Sequence, residues 1–65
     1  MTFGEFWIAR NGRKHGAGKL ACETLDIPRA KMERRWHVEI AKLSCVERLA
    51  IAAVAYGLPP YRGEK

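Results

Sequence analysis

The spacing of apolar side chains along this chain predicts short α-helices. The clearest case lies between residues 28 and 43, where apolar positions recur three or four residues apart. Pro28 fixes its own φ and suits the start of a helix, so we expect a third helix over residues 28–43. The positions expected to face inward along it are Met32, Trp36, Ile40 and Leu43.

Turn and capping residues predict where the other helices begin and end. Thr2 with Glu5, and Ser44 with Glu47, have the spacing of a capping box, in which each side chain pairs with the other residue's free amide. We expect the first helix to run to about residue 10, the second over 17–25 and the fourth from 44 to Gly57. Asn11-Gly12 ends the first helix in a left-handed conformation; a β-hairpin turn is the alternative interpretation.

These elements predict an all-α fold of three to four short helices that includes a helix-turn-helix-like pair. A chain of 65 residues has room for one small domain, residues 1–65. We expect a mobile basic loop at 12–18 and a short C-terminal tail at 59–65. The expected core residues are Phe6, Met32, Trp36, Ile40 and Leu49.

The fourth helix lacks a polar face, because every residue from 49 to 56 is apolar. A helix that is apolar all round is normally buried on all sides, which three other short helices cannot achieve. We therefore expect a homodimer, or another protein partner, at an interface formed by Leu49, Ala52, Ala53 and Tyr56.

The net positive charge comes from one half of the chain. The net charge is +5, and residues 10–35 hold eight basic and three acidic side chains, while the remainder holds four of each. This asymmetry indicates a polyanionic or acidic partner. A solvated surface that keeps the protein soluble is the alternative interpretation.

The residues do not favour catalysis or metal binding. Cys22, Cys45, His15 and His37 lack the spacings of zinc sites, and no nucleophile–base pair or carboxylate pair can be argued. Lys19 follows a glycine but lacks the rest of a phosphate-binding loop. We expect no enzyme activity, cofactor or metal. The absence of a signal sequence or membrane-length apolar run predicts a soluble cytoplasmic protein with reduced thiols.

Residues 19–36, KLACETLDIPRAKMERRW, carry a resemblance to a known motif. The segment resembles the helix-turn-helix of resolvase/invertase DNA-binding domains and of small bacterial or phage regulators. In that pattern Cys22 is the small residue between the helices, Asp26 stands in place of the usual turn glycine, and Met32 anchors the second helix. Arg35 departs from the pattern, since an apolar residue is common there.

The resemblance implies a small regulator of transcription that reads duplex DNA with helix 28–43. It places the side chains Arg29, Ala30, Glu33, Arg34 and His37 toward the major groove and Lys31 and Arg35 nearer the phosphates. The glycine-rich loop is expected to add phosphate contacts. The predicted nucleic-acid-binding residues are Arg13, Lys14, Lys19, Arg29, Lys31, Arg34, Arg35 and His37.

Two other functions fit the same charge distribution. One is a small phage-type inhibitor or adaptor, similar to anti-CRISPR proteins, whose basic patch docks on an acidic protein or nucleoprotein. The other is RNA binding within a larger nucleoprotein. Carboxylates and phosphates attract the same basic patch, so the sequence alone leaves these alternatives open.

Overall fold

The computed structural model describes residues 1–59 and 63, and these residues form an all-α fold. Four α-helices are joined by short turns: α1 is Phe3–Asn11, α2 is Ala17–Leu25, α3 is Arg29–Arg35 and α4 is Cys45–Ala55. A single 3₁₀ turn, Ile40–Lys42, precedes α4. The predicted fold class is confirmed. The predicted C-terminal tail, 59–65, lies mostly outside the described residues.

Both predicted capping boxes are present. The Thr2 hydroxyl accepts from the Glu5 amide at 3.1 Å, while the Glu5 carboxylate accepts from the Thr2 amide at 2.7 Å. Ser44 and Glu47 make the equivalent pair at the start of α4. Gly12 has a φ of 86° and donates its amide to the Ile8 carbonyl, which ends α1. The hairpin alternative at this turn is therefore wrong.

The prediction of one helix over residues 28–43 is also wrong, because α3 ends at Arg35. The first amides of α1 lack partners within their own helix, and they bind the chain just after α3. Gly4 donates to the Trp36 carbonyl at 2.8 Å and Phe3 donates to the Val38 carbonyl at 2.9 Å. A continued helix would pair the Ile40 amide with the Trp36 carbonyl, but that amide donates to the Met1 carbonyl instead.

The core forms where α1 crosses α2, and the remaining elements close around it. Trp7, Ala17 and Ala21 are fully buried, so the two small alanines allow the indole-bearing helix to approach closely. Around them lie the other buried apolar side chains, Phe3, Met32, Leu43 and Ile51.

Four of the five predicted core residues belong to this cluster or its margin. Met32 is buried, and Phe6, Trp36 and Ile40 are half-buried against it. Leu49 is the exception, because 65% of it is exposed. Its position on α4 faces solvent, and Ile51 supplies the inward contact instead.

Candidate nucleic-acid interface

The turn between α2 and α3 has the geometry that the sequence predicts. Asp26 ends α2 with φ 53° and ψ 49°, in the left-handed region, and its amide donates to the Cys22 carbonyl. It is the only described non-glycine residue with a positive φ. Pro28 is extended and caps α3, with its carbonyl accepting from the Lys31 and Met32 amides at 3.1 Å each. Asp26 therefore adopts the left-handed conformation that the sequence predicts for this turn.

A glycine that the sequence analysis missed lies where α2 and α3 meet. A Cβ atom on Gly18 would lie 3.0 Å from the terminal methyl of Met32, the buried anchor of α3. Cys22, the small residue assigned to this crossing, is half-buried and lines a surface cleft together with Gly18 and Met32. The signal in the sequence was a glycine inside a predicted helix, where glycine lowers the stability of the helix relative to alanine.

Most of the predicted basic site residues lie exposed on α2, on α3 and on the turns around them. Arg13 and Lys14 lie in the turn before α2, and His37 lies in the turn after α3 rather than on a helix. The helical members of the exposed set are Lys19, Arg29, Lys31 and Arg34.

Two of these exposed cations have carboxylate neighbours on their own helix. The Lys19 ammonium lies 3.9 Å from the Glu23 carboxylate, and the Arg29 Nε lies 3.0 Å from Glu33. Exposed ion pairs of this kind contribute only about 0–1 kcal/mol to stability, so another anion can displace the carboxylate at little cost in free energy.

Arg35 differs from the other basic site residues. Its side chain is 26% exposed, and its Nε donates to the Glu47 carboxylate on α4. Its Nη1 also donates to the Lys31 carbonyl at 3.2 Å. The guanidinium thus connects α3 to α4, which gives a structural reason for a basic residue at a position where the motif commonly has an apolar one.

Two surface depressions flank α3. A shallow cleft of about 500 Å³ lies between the start of α2 and α3, and Lys19 and Arg29 lie on it. A narrower groove of about 200 Å³ runs between α3 and α4. Its lining is mainly apolar, with Lys31, Arg35 and Glu47 as the charged residues.

The outer side of α4 is uncovered. Of the predicted interface residues, Leu49 is 65% exposed, Tyr56 is 82% exposed, Ala52 is exposed and Ala53 is half-buried. Val46, which the sequence analysis did not include, is 75% exposed on the same side. The helix therefore buries one side against the core and presents an apolar side outward.

The described residues form neither a metal-binding cluster nor a membrane-spanning helix. No three His, Cys, Asp or Glu side chains come together there in a way that could hold a metal ion. Among the same residues, no helix combines the length and apolar character needed to cross a membrane.

Comparison of this chain with protein-family models, with curated proteins and with solved structures gives no match.

Proposed function

We propose that this protein binds duplex DNA through α2 and α3, with α3 entering the major groove. The observation that carries the proposal is the left-handed turn at Asp26, which joins two contacting helices and leaves the second with an exposed basic face. Lys31 and Arg34 are exposed on that face, and no described carboxylate lies within 4 Å of either side chain.

The dimensions of α3 suit this role. Seven residues give a helix about 10 Å long, comparable with the roughly 12 Å width of the major groove. Arg34, one turn beyond the exposed Ala30, can donate two hydrogen bonds to a guanine edge. Ala30 offers a methyl group for contact with thymine. Lys31 lies beside these positions and is suited to phosphate.

The turn before α2 supplies a second group of phosphate contacts in this proposal. Arg13 and Lys14 are exposed there, and Lys19 follows on the first turn of α2. Contacts to phosphate fix the position of a protein on the duplex but do not read its sequence. We assign these three residues to affinity and Arg34 to specificity.

We further propose that the protein regulates transcription in the cytoplasm and acts as a homodimer. Helix-turn-helix dimers read paired half-sites about one helical turn apart, which suits a recognition helix that is only two turns long. We assign the homodimer contact to the exposed side of α4. The glycine-rich turn lies on the other side of α3.

A protein partner is the second candidate function. The observation in its favour is the apolar groove between α3 and α4, whose charged lining residues include Lys31 and Arg35. An inhibitor or adaptor of the phage type would place an acidic, partly apolar protein segment in that groove. It would then leave duplex DNA unbound.

The experiment compares three single substitutions on a duplex selected from a random pool. Arg34→Ala should lower affinity for the selected duplex by about 10- to 100-fold and have a smaller effect on unrelated DNA. Lys14→Ala should weaken binding to both duplexes by a similar factor. Arg48→Ala, which removes an exposed arginine on α4, is the control and should have little effect.

The pattern of affinity losses distinguishes a residue that reads the DNA sequence from one that binds only phosphate. Equal, sequence-independent losses from Arg34→Ala and Lys14→Ala would show that α3 is not a recognition helix. Failure of the unmodified protein to bind any duplex would favour the protein partner.

A further inference from the structure

The exposed side of α4 is a continuous apolar surface, which we call the α4 outer face. At about 100° per residue, its members occupy roughly 120° of the helix circumference. Stripes of at least about 100° are typical of helices that pack against another element. The members are Cys45, Val46, Leu49, Ala52, Ala53 and Tyr56.

The spacing along this face is that of a helix-packing seam. Val46, Leu49, Ala53 and Tyr56 are separated by three, four and three residues, which is the a/d pattern of two heptads. Three of the four are more than 60% exposed. These positions therefore repeat as they do in helices that pack side by side, and no described element covers the three larger side chains.

The face carries no charge. Glu47, the acidic residue of α4, is half-buried and paired with Arg35, so it points toward α3. Arg48 lies beyond the edge of the face by its angular position on the helix. The predicted basic site residues lie instead on α2, on α3 and on the turns around them. An acidic or nucleic-acid partner thus finds no complementary charge here, whereas an identical uncharged surface matches.

We propose that the α4 outer face binds the same face of a second copy of this chain, with the two α4 helices antiparallel. This inference specifies the homodimer of the proposed function and rests on it, but it does not depend on the DNA partner. An isologous contact of this kind closes with two copies, so it yields a dimer and not a polymer.

The size of the face sets the strength of the dimer. Tyr56 contributes on the order of 150 Å², Val46 and Leu49 contribute on the order of 60–100 Å² each, and the exposed Cys45 contributes on the order of 60 Å². With the alanines the face is roughly 400–500 Å², so two copies bury about 800–1,000 Å². That area is below the roughly 1,200 Å² at which stable specific complexes begin and is typical of a weak, transient contact. The expected dissociation constant is therefore micromolar.

The orientation follows from the sizes of the side chains. An antiparallel pair centred near residue 51 sets Leu49 against Ala53 of the second copy and Val46 against its Tyr56. Each large side chain then meets a smaller one, which fills space better than stacking tyrosine on tyrosine and alanine on alanine. The antiparallel arrangement also sets opposite ends of the two helix dipoles side by side.

Sedimentation equilibrium of the full chain over about 1–300 µM tests the dimer. The unmodified protein should shift from monomer to dimer within this range. Leu49→Glu should remain monomeric, because it places a carboxylate in the seam. Ala9→Glu adds the same group at an exposed position on α1 and should dimerise normally. Circular dichroism of both variants checks that they fold.

Cysteine cross-linking under a mild oxidant tests the orientation in a Cys22→Ser background. With Cys45 also replaced by Ser, a single cysteine introduced by Ala52→Cys lies near the proposed centre and should form a disulfide-linked dimer. The native Cys45 alone lies near the end of the seam and should not. A protein that stays monomeric at the highest concentration, or a Leu49→Glu variant that still dimerises, would overturn the proposal. Cross-linking through Cys45 alone would overturn the antiparallel arrangement.

Discussion

Gly4 lies where the first turn of α1 contacts the indole of Trp36, and this contact leaves no room for a side chain. A Cβ atom on Gly4 would lie 2.6 Å from Trp36 Cε2, 2.7 Å from Nε1 and 2.8 Å from Cδ2. Real Cβ contacts essentially never reach these distances. The Gly4 amide also donates to the Trp36 carbonyl, so the indole and its backbone are held together. The change Gly4→Ala must therefore displace the indole ring or break that hydrogen bond.

Two opposing effects determine how much Gly4→Ala changes the free energy of unfolding. Overpacking of this kind costs about 1–3 kcal/mol, while replacing a helical glycine by alanine returns about 0.5–1 kcal/mol. We expect a net loss of about 1–2 kcal/mol, which lowers the melting temperature of a domain of this size by roughly 5–15 °C.

Gly18→Ala is the matched control, because it makes the same chemical change in α2. Its Cβ would meet only the flexible end of the Met32 side chain, the terminal methyl at 3.0 Å and the sulfur at 3.7 Å. That methyl can move, so we expect the stability of Gly18→Ala to be unchanged or slightly higher.

Urea unfolding of the three proteins measures both effects. Combining Gly4→Ala with Trp36→Phe should recover part of the loss, since the smaller ring leaves space for the new methyl group. A Gly4→Ala variant as stable as the unmodified protein would refute the close contact between α1 and the segment after α3.

Two further predictions concern a backbone turn and a capping box. Asp26→Gly should raise the free energy of unfolding by about 0.5–1 kcal/mol, because glycine adopts the left-handed region without steric cost; in the same urea assay, Asp26→Val should be destabilised, and equal stability of the two variants would contradict the observed turn. Hydrogen bonds from the Thr2 amide and side chain lower the pKa of Glu5 below its ordinary value of 4.5, so its stabilising contribution is complete above pH 4.5 and is lost as pH falls through the lowered pKa. Thermal unfolding followed from neutral to acidic pH should therefore show a smaller loss of stability below pH 4.5 for Glu5→Gln than for the unmodified protein, and identical profiles would contradict the capping box.

Local sequence signals predicted the ends of α1, α2 and α4 well. The two capping boxes, the glycine that ends α1 and the left-handed Asp26 are all interactions between residues close in the chain, which the residue types alone specify. The same applies to α2, whose predicted and observed limits agree.

The error at residues 36–43 had a different origin. The apolar period there continues past Arg35, and Met32, Trp36, Ile40 and Leu43 do contact the core, yet the helix stops. The competing hydrogen bonds come from the first residues of the chain, more than thirty positions away. The helical spacing of apolar residues cannot reveal such a distant hydrogen-bond partner, because the spacing indicates only which residues face inward.

Interactions between separate elements also determined what the sequence missed in the candidate site. Arg35 is held by Glu47, twelve residues further on, so charge counting alone grouped it with the exposed cations. The apolar character of α4 correctly indicated an exposed apolar strip, but only its packing revealed that Ile51 faces inward and Val46 outward.

Binding to a labelled duplex of two helical turns, measured against salt, tests the central claim most directly. If α3 and the turn before α2 neutralise several phosphates, the logarithm of the affinity should fall linearly with the logarithm of salt, with a slope of roughly −4 to −6. Affinity should then drop by about a thousandfold between about 50 and 200 mM salt. No detectable binding at the lowest salt, or binding that is insensitive to salt, would contradict the account.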